Sequence, residues 1–209
     1  MTMTPVIRKE KFTVSLATKS YTYDVARFVV NQNIKHHTDC EDLGQHLRDI
    51  EKVYTEEASY EDKIMYVAHD NQGELIGCIR VFKWNGNLIL PIEKEFGVSL
   101  HSLFSSDQKM NFWHVGRFAI SKTAGQVSIE LFKLLMELAI TPIVNDPENS
   151  CMIAETDCHL LRVMNKLGMN TRQLAESRYY LESETVPIVS MKSDLMYYYI
   201  GCPVLCSHF

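Results

Sequence analysis

His114 and Arg117 stand three residues apart in an otherwise mostly apolar run, Phe112 to Lys122. A histidine titrates near physiological pH and can accept or give a proton. If the run is a strand, alternation puts His114, Gly116 and Phe118 on one face, and Val115, Arg117 and Ala119 on the other. His114 is then either a base or a hydrogen-bonding member of a half-buried sheet. Arg117 in such a setting is costly unless paired. It either holds a carboxylate, a phosphate or a loop carbonyl, or it bridges to an acidic residue of the Asp39–Asp62 region. Arg80 poses the same choice on its own run. Glu155, near the end of SCMIAETD, is a second candidate base or a solvated strand-end carboxylate. Arg27 either grips a carboxylate with both arms of its fork or lies exposed on a helix.

Other groupings carry less. His36, His37 and Cys40 are spaced closely enough to suggest metal ligands, as are Cys202, Cys206 and His208. Neither set has a paired C-x-x-C partner at zinc-ribbon spacing, so no metal site is expected. Cys158-His159 admits a nucleophilic thiolate or a structural cysteine at a helix start. Tyr197, Tyr198 and Tyr199 suit packing against the sheet or a partner chain. Met136, Met164 and Met169 suit a pliable apolar pocket or ordinary core.

These residues need elements to position them. The chain has 209 residues, 46% hydrophobic and 22% charged, which fits one soluble domain spanning residues 1–209 and excludes a collagen-like or disordered chain. With 26 acidic and 21 basic residues the formal charge is −5, a poor match for a nucleic-acid backbone. The N-terminal stretch has charges where a signal peptide needs apolar residues. No run approaches the ~20 apolar residues of a membrane span. Six scattered cysteines then read as reduced thiols, and the expected location is the cytoplasm.

Lys11 to Lys19 alternates as a strand. Tyr21 to Asn33 follows as a helix with Ser20 as its cap, and a weaker helical pattern runs from Leu43 to Tyr54. IMYVAHD and LIGCIRVFK, joined by Asn71-Gln72-Gly73-Glu74, form a hairpin. Phe112 to Lys122 is a long strand that leads past Gly125 into an amphipathic helix from Val127 to Ile140. SCMIAETD is a buried strand, and HLLRVMNKLG a helix stopped by Gly168. RYYLES and VPIVSMKS are two closing strands, and Asp194 to Gly201 a last helical turn. Hairpins followed by strand–helix alternation predict an α/β domain, a mixed and mostly antiparallel sheet with helices on both faces.

This order resembles the GNAT acyltransferase fold. WHVGRFAIS is similar to the motif of acyl-homoserine-lactone synthases and long-chain N-acyl amino acid synthases, in which an acidic residue precedes an S-R-F core. Arg117 and Phe118 match that core, Gly116 replaces its serine, and His114 occupies the acidic position. YDVARFVVNQ is similar to that group's N-terminal helix, with Arg27 and Phe28 as its arginine and phenylalanine. LIGCIRVF is similar to its G-x-x-R strand, with Arg80 as the arginine. ESRYYLESETVPIVS resembles its late strands. The resemblance covers residues 20 to 190.

The resemblance implies an N-acyltransferase that moves an acyl chain, a fatty one in this group, from a carrier thioester to the amine of an amino acid or related metabolite. The co-substrate is acyl-CoA or an acyl-acyl carrier protein, and the partners left open are the carrier protein and a second copy of the chain. On this view His114, Arg117 and Glu155 are catalytic, and Arg27, Phe28 and Arg80 bind the acceptor. The donor lies along Phe118, Ala119, Ile120, Ser121 and Lys122, then Gly125, Gln126, Val127 and Ser128. N-acyl transfer needs a proton acceptor for the amine and a donor for the developing oxyanion. Two departures stand out. The R/Q-x-x-G-x-G/A pyrophosphate loop of the broader superfamily is reduced here to one glycine, Gly125, which suits a carrier protein's single phosphate. Met164 also stands where the superfamily often places a tyrosine acid. A short-chain acyl-CoA acetyltransferase and a silent acyl-ligand or protein-binding member of the fold are the alternatives.

Overall fold

A computed structural model describes residues 3–37, 43–104, 109–181 and 183–201. The side chains of His36, His37 and Cys40, and those of Cys202, Cys206 and His208, lie outside the described residues. The chain is α/β, and its described residues form nine strands and six α-helices. The strands are β1 (Thr4–Arg8), β2 (Phe12–Leu16), β3 (Ile64–Asp70), β4 (Leu75–Lys83), β5 (Asn111–Ile120), β6 (Ser150–Asp157), β7 (Arg172–Gln173), β8 (Arg178–Tyr180) and β9 (Ser183–Met191). The helices are α1 (Thr22–His37), α2 (Leu43–Ser59), α3 (Pro91–Lys94), α4 (Ser128–Val144), α5 (Cys158–Lys166) and α6 (Lys192–Gly201). The pairing path is β1-β2-β3-β4-β5-β6-β9-β7, with β8 also on β9. The sheet is mostly antiparallel.

The chain divides into two compact units, Met1–Arg80 with Arg117–Met136, and Val81–Gly116 with Glu137–Phe209. In the first unit, β2 pairs antiparallel with both β1 and β3. Period-2 alternation holds for Phe12 and Val14, which are fully buried. Val25, Phe28 and Val29 of α1 pack on Met65, Val67, Cys78 and Ala119 of the strands. A Cβ on Gly77 of β4 would lie 2.9 Å from Leu131 Cδ2 and 3.2 Å from Leu135 Cδ1 of α4. Glycine at this point is what lets the helix seat so closely on the strand.

In the second unit, β5 runs parallel to β6 over four residue pairs, Asn111↔Ser150 to His114↔Ile153. There the pairing stops, although β6 goes on alongside β9 as far as Asp157↔Thr185. Asp157 caps α5, its Oδ1 accepting from the amides of His159 and Leu160 at 2.8 and 2.9 Å. Gly168, at φ +85°, ends that helix as expected from sequence.

Asp146 anchors the start of β5. Its carboxylate accepts from Trp113 Nε1 at 2.8 Å and from Asn111 Nδ2 at 3.0 Å, and pairs with Lys83 Nζ at 3.1 Å. Its backbone carbonyl accepts from Lys192 Nζ. Burial alone would raise the Asp146 pKa; the bonds from Trp113, the Glu148 amide, Lys83 and Asn111 outweigh this and lower it from 3.8 to about 2. A depressed carboxylate stabilises the fold above its unfolded pKa and loses that contribution as pH falls through the folded one, here between about pH 4 and 2. The shift corresponds to about 2 kcal/mol. Asp146→Asn should therefore be less stable than the natural chain at pH 7, with the gap narrowing below pH 4 and closing toward pH 2. Denaturant melts at both pH values check this, and an unchanged gap would sink the assignment.

The hairpin strands β3 and β4 and the strand β6 lie where alternation and apolar runs predict them. Elsewhere the structure corrects the reading. Ser20 does not cap α1: a 3-10 turn, Lys19–Tyr21, precedes the helix, and the Ser20 hydroxyl lies 2.9 Å from that of Thr18. Residues 192–201 form a full helix rather than a final turn, because Leu195 and Tyr198 bury themselves along one side. β1, β7 and α3 have no clear pattern in the sequence. β1 is a mostly exposed edge strand interrupted at Pro5, so neither alternation nor burial marks it.

Candidate functional site

Two groupings of polar and charged side chains form, one in each unit. In the first, Glu57 of α2 is fully buried and accepts from two arginines at once. Arg117 Nε donates to Glu57 Oε1 at 2.8 Å and Arg80 Nε donates to the same oxygen at 3.2 Å. Lys63 Nζ lies 3.8 Å from Oε2 and also donates to the Glu57 carbonyl. Arg117 Nη2 donates to Glu56 Oε2 at 2.6 Å, and the Tyr60 hydroxyl donates to Glu56 Oε1 at 2.8 Å. The Arg80 guanidinium sits over the Tyr60 ring, 5.0 Å from its centroid.

Burial alone would raise the Glu57 pKa, but the charges of Arg80 and Arg117 dominate and hold it below the ordinary carboxylate value. Burial lowers the Lys63 pKa and raises that of Tyr60. Arg117 thus has its acidic partners in the stretch expected for a bridge. It also sits at φ +54°, left-handed backbone inside a strand. The regular two-face alternation read from the sequence therefore does not run through Arg117.

In the second unit, the His114 side chain has no exposed surface, and its Nε2 lies 2.8 Å from Glu155 Oε2. The tautomer of the ring sets which of the two donates. Phe82 meets the imidazole edge-on, ring centroids 5.3 Å apart. His114 pairs in register with Ile153, and Glu155 is the next residue of β6 on Ile153's face, just past the last β5–β6 pair. The Glu155 side chain keeps 9% of its surface exposed.

The other expected residues are placed as follows. Phe118 packs edge-on against Phe132, centroids 5.2 Å apart, and Ala119 joins the core. Ser121 Oγ accepts from the Thr123 amide and caps a 3-10 segment, Lys122–Val127. Lys122 Nζ donates to the Lys35 carbonyl at 2.9 Å. Gly125 adopts φ +51°, and the Ser128 hydroxyl donates to its carbonyl at 2.6 Å. Ile120 and Val127 are half-buried and Gln126 is exposed. Phe28 lies in the α1 core, whereas Arg27 is exposed and pairs with Asp24 at 3.4 Å. Among the described residues, no group of three or more His, Cys, Asp or Glu is arranged to hold a metal ion, and no helix is long and apolar enough to cross a membrane.

Sequence reasoning did not single out Glu56, Glu57, Tyr60, Lys63 or Asp146. One signal was present for Glu57. It continues the buried stripe of Ile50 and Val53 at helical spacing, so a glutamate there must find charge partners.

No protein-family model matches the chain, and no curated protein matches it in sequence. Solved structures do. FeeM, an N-acyl amino acid synthase from uncultured soil microbes, is similar at TM-score 0.57 and 12% identity, covering 97% of this chain and 99% of that one. The acyl-homoserine-lactone (AHL) synthase LasI is similar at TM-score 0.56 and 13% identity, covering 91% and 95%. A GNAT-family acetyltransferase from Staphylococcus aureus Mu50 follows at TM-score 0.53 and 12% identity, covering 87% and 99%. At such identities the likeness establishes the fold, and that fold is GNAT-like.

Proposed function

We propose that this chain is an N-acyltransferase that moves an acyl group from a thioester to the amine of an amino acid or related metabolite. The acyl group is a fatty chain, and the donor is acyl-CoA or an acyl-acyl carrier protein. One observation supports this most: in a GNAT-like fold, a hydrogen-bonded His114–Glu155 pair stands where the parallel β5 and β6 cease to pair. A proton acceptor placed beside unpaired strand backbone is what aminolysis of a thioester needs. The whole chain, 1–209, acts as one acyltransferase domain. The segment from Phe118 to Ser128 takes the donor's pantetheine arm. Arg27, exposed on α1, takes the acceptor's carboxylate as it would Asp24, with Phe28 and Arg80 as the other residues assigned to the acceptor.

A second reading, a catalytically silent acyl-ligand binder, is favoured by the complete burial of His114. Thiol release separates the two. Acetyl to palmitoyl thioesters of CoA and of acyl carrier protein are offered with a pool of amino acids, then without. Acceptor-dependent release confined to long chains is expected, and release from acetyl-CoA alone would make the chain a conventional acetyltransferase. No release from folded protein would leave the silent reading.

A further inference from the structure

We propose that Lys122 couples donor binding to the end of α1: its ammonium closes that helix, and the donor's phosphate draws it away. The coupling rests on the donor assignment above, in which the segment from Phe118 to Ser128 takes the pantetheine arm. α1 ends at His37, so the Lys35 carbonyl is one of its last four and has no donor within the helix. Lys122 Nζ supplies that donor at 2.9 Å, from 87 positions along the chain. An ammonium at this point also meets the negative end of the helix dipole, which carries about half an elementary charge.

Lys122 is the one charged residue from Ser121 to Ser128, so a phosphate on this segment meets a single cation of the segment's own. The next charge along, Glu130 in the first turn of α4, is paired with Lys9 at 3.3 Å. Lys122 is exposed on a flexible four-carbon stem, and its ammonium moves without disturbing the core. The phosphate of a pantetheine arm carries at least one full negative charge, against about half a charge at the helix end. One positive charge with two claimants goes to the stronger anion, and the Lys35 carbonyl is left to water. The last turn of α1 then loses its closing contact. Because α1 also carries Arg27, the device links the donor's arrival to the helix assigned to the acceptor.

Amide hydrogen exchange in the full chain, followed by NMR, tests this at residues 34–37, measured against residues 25–29 of the same helix. CoA and holo acyl carrier protein carry the phosphate, pantetheine does not, and a thermal melt reports the binding of each. With CoA or the carrier protein saturating, exchange at 34–37 should rise about 2–10-fold, the loss of one net hydrogen bond. Pantetheine should leave it unchanged, and a rise with only one of the two phosphate carriers identifies the donor. Lys122→Met should show the raised rate with no ligand present, and CoA should add nothing to it. The comparison with residues 25–29 separates this local effect from any general loosening of the variant. The coupling is overturned if pantetheine raises exchange as much as CoA does, or if Lys122→Met exchanges at the wild-type rate. Binding of CoA or the carrier protein with exchange unchanged or slowed removes this coupling alone, whereas no binding of either removes the donor assignment beneath it.

Discussion

Glu57→Ala should lower stability by about 3–5 kcal/mol, the cost of leaving buried cations without their counter-ion. For a chain of this size each kcal/mol moves the melting temperature by about 2–4 °C. The expected shift is therefore about 6–20 °C. The reason is geometric: one fully buried oxygen accepts from both Arg80 and Arg117, and Lys63 closes on the other. Removing the carboxylate leaves three cationic side chains, all at most 10% exposed, with Glu56 beside Arg117. Glu56→Ala should cost less, because that carboxylate is 18% exposed and water can replace its bonds. The depressed Glu57 pKa adds a pH signature. Its stabilisation is complete above the ordinary carboxylate range and is lost as pH falls through the lower folded value. A Glu57→Ala melt within 1 °C of wild type would show that the cluster contributes nothing net.

That cluster also marks where reading the sequence runs out. Alternation and apolar runs are local, so β3, β4 and β6 were legible residue by residue. The partners of Arg117 lie 60 and 61 positions away on α2; helical spacing after Ile50 and Val53 hints at Glu57, but no local pattern selects Glu56 or pairs either acid with Arg117. What sequence could supply was the constraint: an arginine in an apolar strand needs an anion. The dyad behaved similarly. His114 and Glu155 were each visible as titratable residues on apolar runs, but their bond depends on the parallel register that sets His114 against Ile153. Backbone strain was the least legible feature. Nothing in GRF announces that an arginine, rather than the glycine beside it, takes the left-handed conformation.

That strain allows a prediction in which the usual ranking of two substitutions is reversed. Arg117→Ala removes three things at once: the Nε bond to Glu57, the Nη2 bond to Glu56, and one of the charges that hold Glu57 ionised. Losing one partner of a buried pair should cost about 3–5 kcal/mol. In an ordinary strand position glycine would be worse still, since it has more freedom to lose on folding. At φ +54°, however, alanine carries a left-handed penalty of about 1–2 kcal/mol that glycine escapes. Arg117→Gly should therefore melt above Arg117→Ala, and both well below wild type. Arg117→Lys keeps the charge but has a single ammonium in place of a fork that now serves two carboxylates, and it should fall between Arg117→Gly and wild type. If Arg117→Ala melted above Arg117→Gly, the backbone would not be held left-handed in the folded protein.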